Sequence, residues 1–166
     1  AILGLDAKNP SIVLPDADIN NAVSECIMGS LSFNGQRCTA LKILFVHKSI
    51  LDEFIDKFTK EVSKLKPGMP WEPGISLTPL PEPGKVEFLR GLVEDAKAHG
   101  ANVVNEHGGE FFHTFFYPAV LYPVNDKMKI YAEEQFGPVV PIVPFDSDEE
   151  PIQYVLNSNF GQQVSI

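Results

Sequence analysis

The chain of 166 residues is 44% hydrophobic, enough to bury one substantial core, and its length fits a single folded domain rather than a disordered segment. A formal net charge of −9 argues against non-specific binding to nucleic acid or to an anionic membrane, since both need a basic surface. The two cysteines, Cys26 and Cys38, have no metal-ligand spacing and no histidine pair nearby; no zinc and no disulfide are expected, and free thiols suit a reducing cytoplasm.

The opening shows no basic leader and no apolar run of membrane-spanning length, so neither a signal peptide nor an anchor is expected. An acidic cap at Asp16 or Asp18 predicts a helix to about Leu31, with Ile19, Ala22, Val23, Cys26 and Ile27 as its apolar stripe. Cys26 is therefore expected in the core. Leu41 to His47 reads as an apolar strand, so Cys38 falls on a helix-to-strand turn.

Ser49-Ile50-Leu51-Asp52 has the capping-box pattern, and Leu51, Phe54, Ile55, Phe58, Val62 and Leu65 keep helical spacing up to Pro67-Gly68. The prolines and glycines between 67 and 84 exclude helix and central strand, leaving a long surface connection. A helix from Lys85 to about His99 closes at Gly100, and Val103-Val104 reads as a short strand. Phe111 to Leu121 is expected to form a hairpin or an edge strand whose aromatics serve core packing. Val139 to Val143 reads as a further strand, and Ser147-Asp148-Glu149-Glu150 as the cap of a last helix ending near Asn157. This alternation favours an α/β fold with a mostly parallel sheet. The abrupt opening at Ile2-Leu3 and the alternating Gln163-Val164-Ser165-Ile166, a strand cut short, suggest an excised domain.

The most informative stretch is Phe33-Asn34-Gly35-Gln36-Arg37-Cys38-Thr39-Ala40, where a thiol follows a guanidinium just after a helix. A neighbouring cation and free backbone N–H groups favour the nucleophilic thiolate. Of the histidines, His47, His99, His107 and His113, none has a spacing that pairs it with Cys38, although a Cys–His dyad is recognised by geometry and not by order.

The octet resembles the catalytic-cysteine signature of the aldehyde dehydrogenase superfamily. Glu133-Glu134-Gln135-Phe136-Gly137-Pro138-Val139 resembles its second signature, and Leu3-Gly4-Leu5-Asp6-Ala7-Lys8-Asn9-Pro10 its opening one. The resemblance spans essentially the whole chain and implies a three-layer αβα catalytic domain over residues 1–166, the separate cofactor-binding domain and the oligomerisation arm of the parent protein being absent from it. It implies NADP- or NAD-dependent oxidation of a small aldehyde by a homo-oligomeric cytoplasmic enzyme, with Cys38 as nucleophile. Glu134 would accept hydrogen bonds from the nicotinamide-side ribose, Phe136 would pack near the nicotinamide, and Leu5 would contact the cofactor. No metal is implied, and the isolated chain is expected to be inactive.

The order Gly-Gln-Arg-Cys-Thr-Ala is similar to the non-phosphorylating glyceraldehyde-3-phosphate dehydrogenase branch, which implies that Arg37 faces a substrate phosphate; a structural ion pair is the alternative. The sequence departs from the family at Gly4, where a general-base glutamate is expected. Asp6 could take over, coenzyme A could be the acyl acceptor as in semialdehyde-acylating relatives, or the domain could be catalytically silent.

Overall fold

The computed structural model describes residues 4–166; Ala1, Ile2 and Leu3, the start of the opening motif, lie outside the described residues. The elements in chain order are β1 (Pro10–Val13), α1 (Ile19–Leu31), β2 (Ile43–His47), α2 (Leu51–Ser63), α3 (Lys85–Ala98), β3 (Asn102–Val103), β4 (Phe111–Phe112), β5 (Phe115–Phe116), β6 (Ala119–Tyr122), α4 (Lys129–Ala132), β7 (Val139–Phe145) and α5 (Glu149–Asn157). The main sheet runs β1-β2-β7-β6-β3. Every neighbouring pair is parallel except β3 with β6, which makes β3 an antiparallel edge.

The near-continuous apolar runs of β2 and β7 are what a strand covered on both faces requires. Successive side chains point to opposite faces. Ile43 and Phe45, with Val139, Val143 and Phe145, join the core against α3 and α5. Leu44 and Val46, with Val140 and Ile142, join the core against α1 and α2. Each such side chain contributes about 1.5–3 kcal/mol relative to exposure. This is the three-layer αβα arrangement expected, with the first two helices, α1 and α2, on one face and α3 and α5 on the other.

Local chemistry explains most boundaries. Asp18 Oδ1 accepts from the N–H of Asn20 at 3.0 Å and of Asn21 at 3.1 Å, which fixes the start of α1. In α2, Phe54, Phe58 and Val62 recur every fourth residue and are fully buried, with the Phe54 and Phe58 rings stacked at 5.6 Å. Residues 67–84 carry neither helix nor strand, only an isolated bridge between Pro67 and Leu77. Ser165 pairs with Ser11 of β1 in parallel, so the alternating tail adds a further strand position beside β1.

Two expectations are corrected. Ser49 does not cap α2: the cap position is Ile50, without a side-chain bond, and Ser49 Oγ instead meets His47 Nδ1 at 2.8 Å. The aromatics after Phe111 are not all core residues, because Phe111 and Phe112 are exposed on the β4–β5 hairpin while Phe116 is buried. Nor is Phe111 to Leu121 one element at an edge: β6 lies inside the sheet, between β7 and β3. The cap of α5 works as expected through Glu150, whose carboxylate accepts from the N–H of Asp146 and Ser147, both at 3.0 Å.

Candidate active site

The turn that carries Cys38 is held in an unusual conformation. Phe33, Asn34 and Gly35 all take left-handed backbone angles, with φ of 53°, 57° and 70°. Only glycine fits at the third position, since a Cβ on Gly35 would lie 2.7 Å from the Ser30 carbonyl oxygen and 2.8 Å from that of Gly137. The buried Asn34 amide secures the turn to the long connection: Nδ2 donates to the Thr78 carbonyl at 3.0 Å and Oδ1 accepts from the Thr78 N–H at 3.1 Å.

Cys38 lies beyond this clamp with its side chain exposed. Asn9 Nδ2 donates to the carbonyls of Cys38, at 2.7 Å, and Ala40, at 3.0 Å, while Lys42 Nζ donates to the Arg37 carbonyl at 2.7 Å. The turn is closed by the Ala40 N–H on the Arg37 carbonyl at 3.1 Å. Its carbonyls are therefore drawn into the protein. Among the described residues the N–H groups of Cys38 and Thr39 meet no acceptor, and the Cys38 thiol has no hydrogen-bond partner.

Arg37, expected as a cation beside the thiol, has its contacts with other groups. Its Nη2 donates to the Met28 carbonyl at 3.3 Å, and its guanidinium stands 5.6 Å from the centre of the Phe33 ring. Nε is buried without a partner among the described residues. Among the described residues no hydrogen bond joins the guanidinium to the Cys38 sulfur.

The second turn lies alongside. Gln135 is buried; its Nε2 donates to the carbonyls of Lys42 and Val139, both at 2.8 Å, and its Oε1 accepts from Lys8 Nζ at 2.7 Å. This fixes the flanking residues Glu134 and Phe136, the latter at φ 38°. Glu134 Oε1 stands 3.0 Å from Lys42 Nζ, a charge contact outside hydrogen-bond geometry, so the same buried oxygen counts as unpaired in hydrogen-bonding terms. Distance governs an ion pair, and the contact is a real attraction. Lys42 Nζ also lies 5.1 Å from the centre of the Phe136 ring, and Lys85 Nζ 5.7 Å. Burial, together with the Lys42 charge, holds the Lys8 ammonium well below the usual lysine range, while Glu134 and Glu133 oppose the shift.

Lys8 and Asn9 precede β1, Lys42 precedes β2, and Gln135 and Phe136 precede β7. The site is thus built at the amino ends of three adjacent parallel strands. Ligands of open α/β sheets usually sit outside the carboxyl ends. Here the loops that enter the strands carry the chemistry, and buried amide and ammonium groups tie them together.

Leu5 and Asp6 are exposed beside Lys8, and among the described residues nothing lies within 4 Å of where a Gly4 side chain would begin. Among the described residues no histidine hydrogen-bonds to Cys38; His47, His99 and His107 meet Ser49, Asp95 and Glu110 instead. The sequence reading missed Asn9, Lys42 and Gln135. The signal for Lys42 was a cation inside an apolar strand-like run, which is tolerated only where partners await it.

For a nicotinamide dinucleotide, the Glu134 oxygen turned away from Lys42, Oε2, and the Phe136 face fit a ribose diol and a planar ring. No group of three or more His, Cys, Asp and Glu among the described residues is placed to hold a metal ion, and no helix among them is long and apolar enough to cross a membrane.

The model of the aldehyde dehydrogenase family matches residues 1–166. The chain belongs to the aldehyde dehydrogenase family. It is 39% identical over 159 residues to the NADP-dependent glyceraldehyde-3-phosphate dehydrogenase of Apium graveolens, covering 96% of this chain and 32% of that protein. It is 34% identical to the sulfoacetaldehyde dehydrogenase of Neptuniibacter caesariensis, covering 99% of this chain and 36% of the relative. Among solved aldehyde dehydrogenases, the NADP-dependent glyceraldehyde-3-phosphate dehydrogenase of Bacillus halodurans C-125 complexed with NADP superposes with a TM-score of 0.90 at 34% identity, over 95% of this chain and 33% of that one. The succinate-semialdehyde dehydrogenase of Burkholderia pseudomallei gives 0.90 at 37% identity, with 95% and 33% covered. The chain spans about a third of the length of the curated relatives it matches.

Proposed function

We propose that the protein carrying this chain oxidises an aldehyde to a carboxylic acid with NADP or NAD as electron acceptor, and that residues 1–166 form its cysteine-bearing catalytic domain. The observation that carries the reading is that one buried ammonium, Lys42, touches both the carbonyl before Cys38 and the carboxylate of Glu134. The nucleophile turn and the cofactor turn are thereby held together. The remaining two-thirds of the protein would supply a separate cofactor-binding domain and an oligomerisation arm, and the domain alone would be inactive.

The Cys38 thiolate adds to the aldehyde carbon, forming a C–S bond and an alkoxide. The free N–H of Cys38 is the donor this chain offers to that oxygen. When bound, the nicotinamide accepts the hydride that leaves the same carbon. The thioester left on Cys38 is cleaved by water, which returns the thiol and gives the acid. Glu134 would hold the ribose, Phe136 and Leu5 would line the nicotinamide end, and Arg37 would bind the substrate.

The favoured substrate is glyceraldehyde 3-phosphate. Arg37 supports it: the guanidinium lies on the same turn as the exposed thiol, and among the described residues its Nη1 donors make no hydrogen bond. A second reading, a coenzyme A-acylating enzyme, is favoured by Gly4, which leaves no carboxylate at the expected base position. A thiolate acceptor needs little help from a base. The test is reduced-nicotinamide formation by the full-length protein with glyceraldehyde 3-phosphate and NADP or NAD, with and without coenzyme A. Turnover independent of coenzyme A supports hydrolytic oxidation, turnover only with coenzyme A replaces it by acylation, and no turnover with any aldehyde leaves a silent binding domain.

A further inference from the structure

The two oxygens of Glu134 have different surroundings. Oε1 is buried against Lys42 Nζ at 3.0 Å, and no side chain or backbone group among the described residues hydrogen-bonds to Oε2. Lys42 is itself only 1% exposed, and it has three neighbours: the Arg37 carbonyl, the Glu134 carboxylate and the Phe136 ring. A buried ammonium is tolerated only with such partners, and their arrangement fixes its position.

We propose that Lys42 is the positioning residue of the cofactor ribose site, anchoring one oxygen of Glu134 so that the other is presented to a vicinal diol. The inference rests on the reading of Glu134 given above. A free glutamate would have to be frozen out of its rotamers when the diol arrives, whereas an anchored one has already lost that freedom. The assignment falls to Lys42 and not to Lys8, although both are buried, because Lys8 Nζ is spent on the neutral Gln135 amide. The same Lys42 ammonium grips the carbonyl before Cys38, so the ribose anchor is tied to the nucleophile turn by one side chain.

The test uses the full-length enzyme, with NADP and NAD titrated by fluorescence and by steady-state kinetics, and compares Lys42→Met, Glu134→Gln and the double variant. The expected result is a nucleotide KM raised about tenfold in Lys42→Met, the usual scale for losing a charge-assisted contact. Glu134→Gln costs much less in the Lys42→Met background than alone. Lys42→Gln, which keeps a donor for the Arg37 carbonyl without the charge, separates the two roles and covers the case in which Lys42→Met does not fold: its nucleotide KM is expected to rise more than its aldehyde KM. Nucleotide affinity unchanged in a folded variant, or additive losses, overturns this inference alone. A parent that binds neither nucleotide overturns it together with the functional reading.

Discussion

Asn9 grips the carbonyl of the residue proposed as nucleophile: its Nδ2 donates to the Cys38 carbonyl at 2.7 Å and to that of Ala40 at 3.0 Å. One amide nitrogen therefore holds two carbonyls of the turn that presents the thiol. With those carbonyls drawn inward, the N–H groups of Cys38 and Thr39 meet no acceptor among the described residues.

Asn9→Ala leaves two carbonyls without their donor, a loss of about 1–3 kcal/mol for buried groups. The expected outcome is kcat/KM lowered about tenfold or more. Asn9→Asp is expected to be worse, since it sets a carboxylate oxygen against carbonyl oxygens. Equal activity of Asn9→Asp and wild type would show that the clamp does not position the thiol.

The two cysteines should respond differently to an alkylating reagent. Cys26 is 2% exposed, its thiol pushed up to about 11, chiefly by burial, which outweighs the contact with Ser11 Oγ at 3.7 Å. Cys38 is exposed. Peptide mapping after iodoacetamide treatment of the native full-length protein at pH 8 should find Cys38 labelled and Cys26 unlabelled, with Cys26 appearing only after denaturation. Native labelling of Cys26 at a comparable rate would contradict the buried assignment.

This contrast bears on what a reader of the sequence could have known. The stripe around Cys26 and the run from Leu41 to His47 were legible because hydrophobic periodicity is local. The three signatures were legible because they are contiguous. Lys8, Asn9, Lys42 and Gln135 were not, because each acquires meaning from a partner far along the chain, as with the 127-residue separation between Lys8 and Gln135. The contacts of Arg37 were not legible either: its backbone adjoins Cys38, while its side chain meets Phe33 and Met28.

The turn itself can be tested at Gly35. A Cβ there meets two backbone carbonyl oxygens below 3.0 Å at φ +70°, and backbone cannot move aside as a flexible side chain can. Gly35→Ala should lower stability by about 1–3 kcal/mol or more and reduce turnover with it. Gly74→Ala is the control. Its φ of +76° imposes the same backbone penalty, but nothing lies within 4 Å of the added methyl. Matched thermal transitions for the two variants would remove the steric argument.

Glu150 gives a pH dependence with a definite sign. Backbone N–H bonds from Asp146 and Ser147 lower its pKa in the folded state. The unfolded chain then holds the proton more tightly, so this stabilisation is present above the ordinary glutamate range near about 4.3 and is lost as pH falls through the lowered folded value. The group is exposed, so the effect is small. Glu150→Gln should lower the melting temperature at pH 7 slightly and leave it closer to wild type near pH 3. A difference that grows on acidification would reverse the assignment.

Gly4 offers a test of how the thioester is cleaved. Among the described residues nothing lies within 4 Å of an added Cβ, and the backbone there is not in the left-handed region, so Gly4→Glu meets no clash with them. A base that activates water typically contributes about 10²–10⁴-fold to a proton-transfer step. If deacylation limits the wild-type enzyme, a pre-steady-state burst of reduced nicotinamide precedes slow turnover, and Gly4→Glu should shrink the burst by raising the steady rate. Coenzyme A should do the same for the wild type if it is the natural acceptor, and should then gain little in Gly4→Glu. A burst unchanged by the substitution would mean that the base acts from elsewhere, with Asp6, exposed two residues on, the next position to replace.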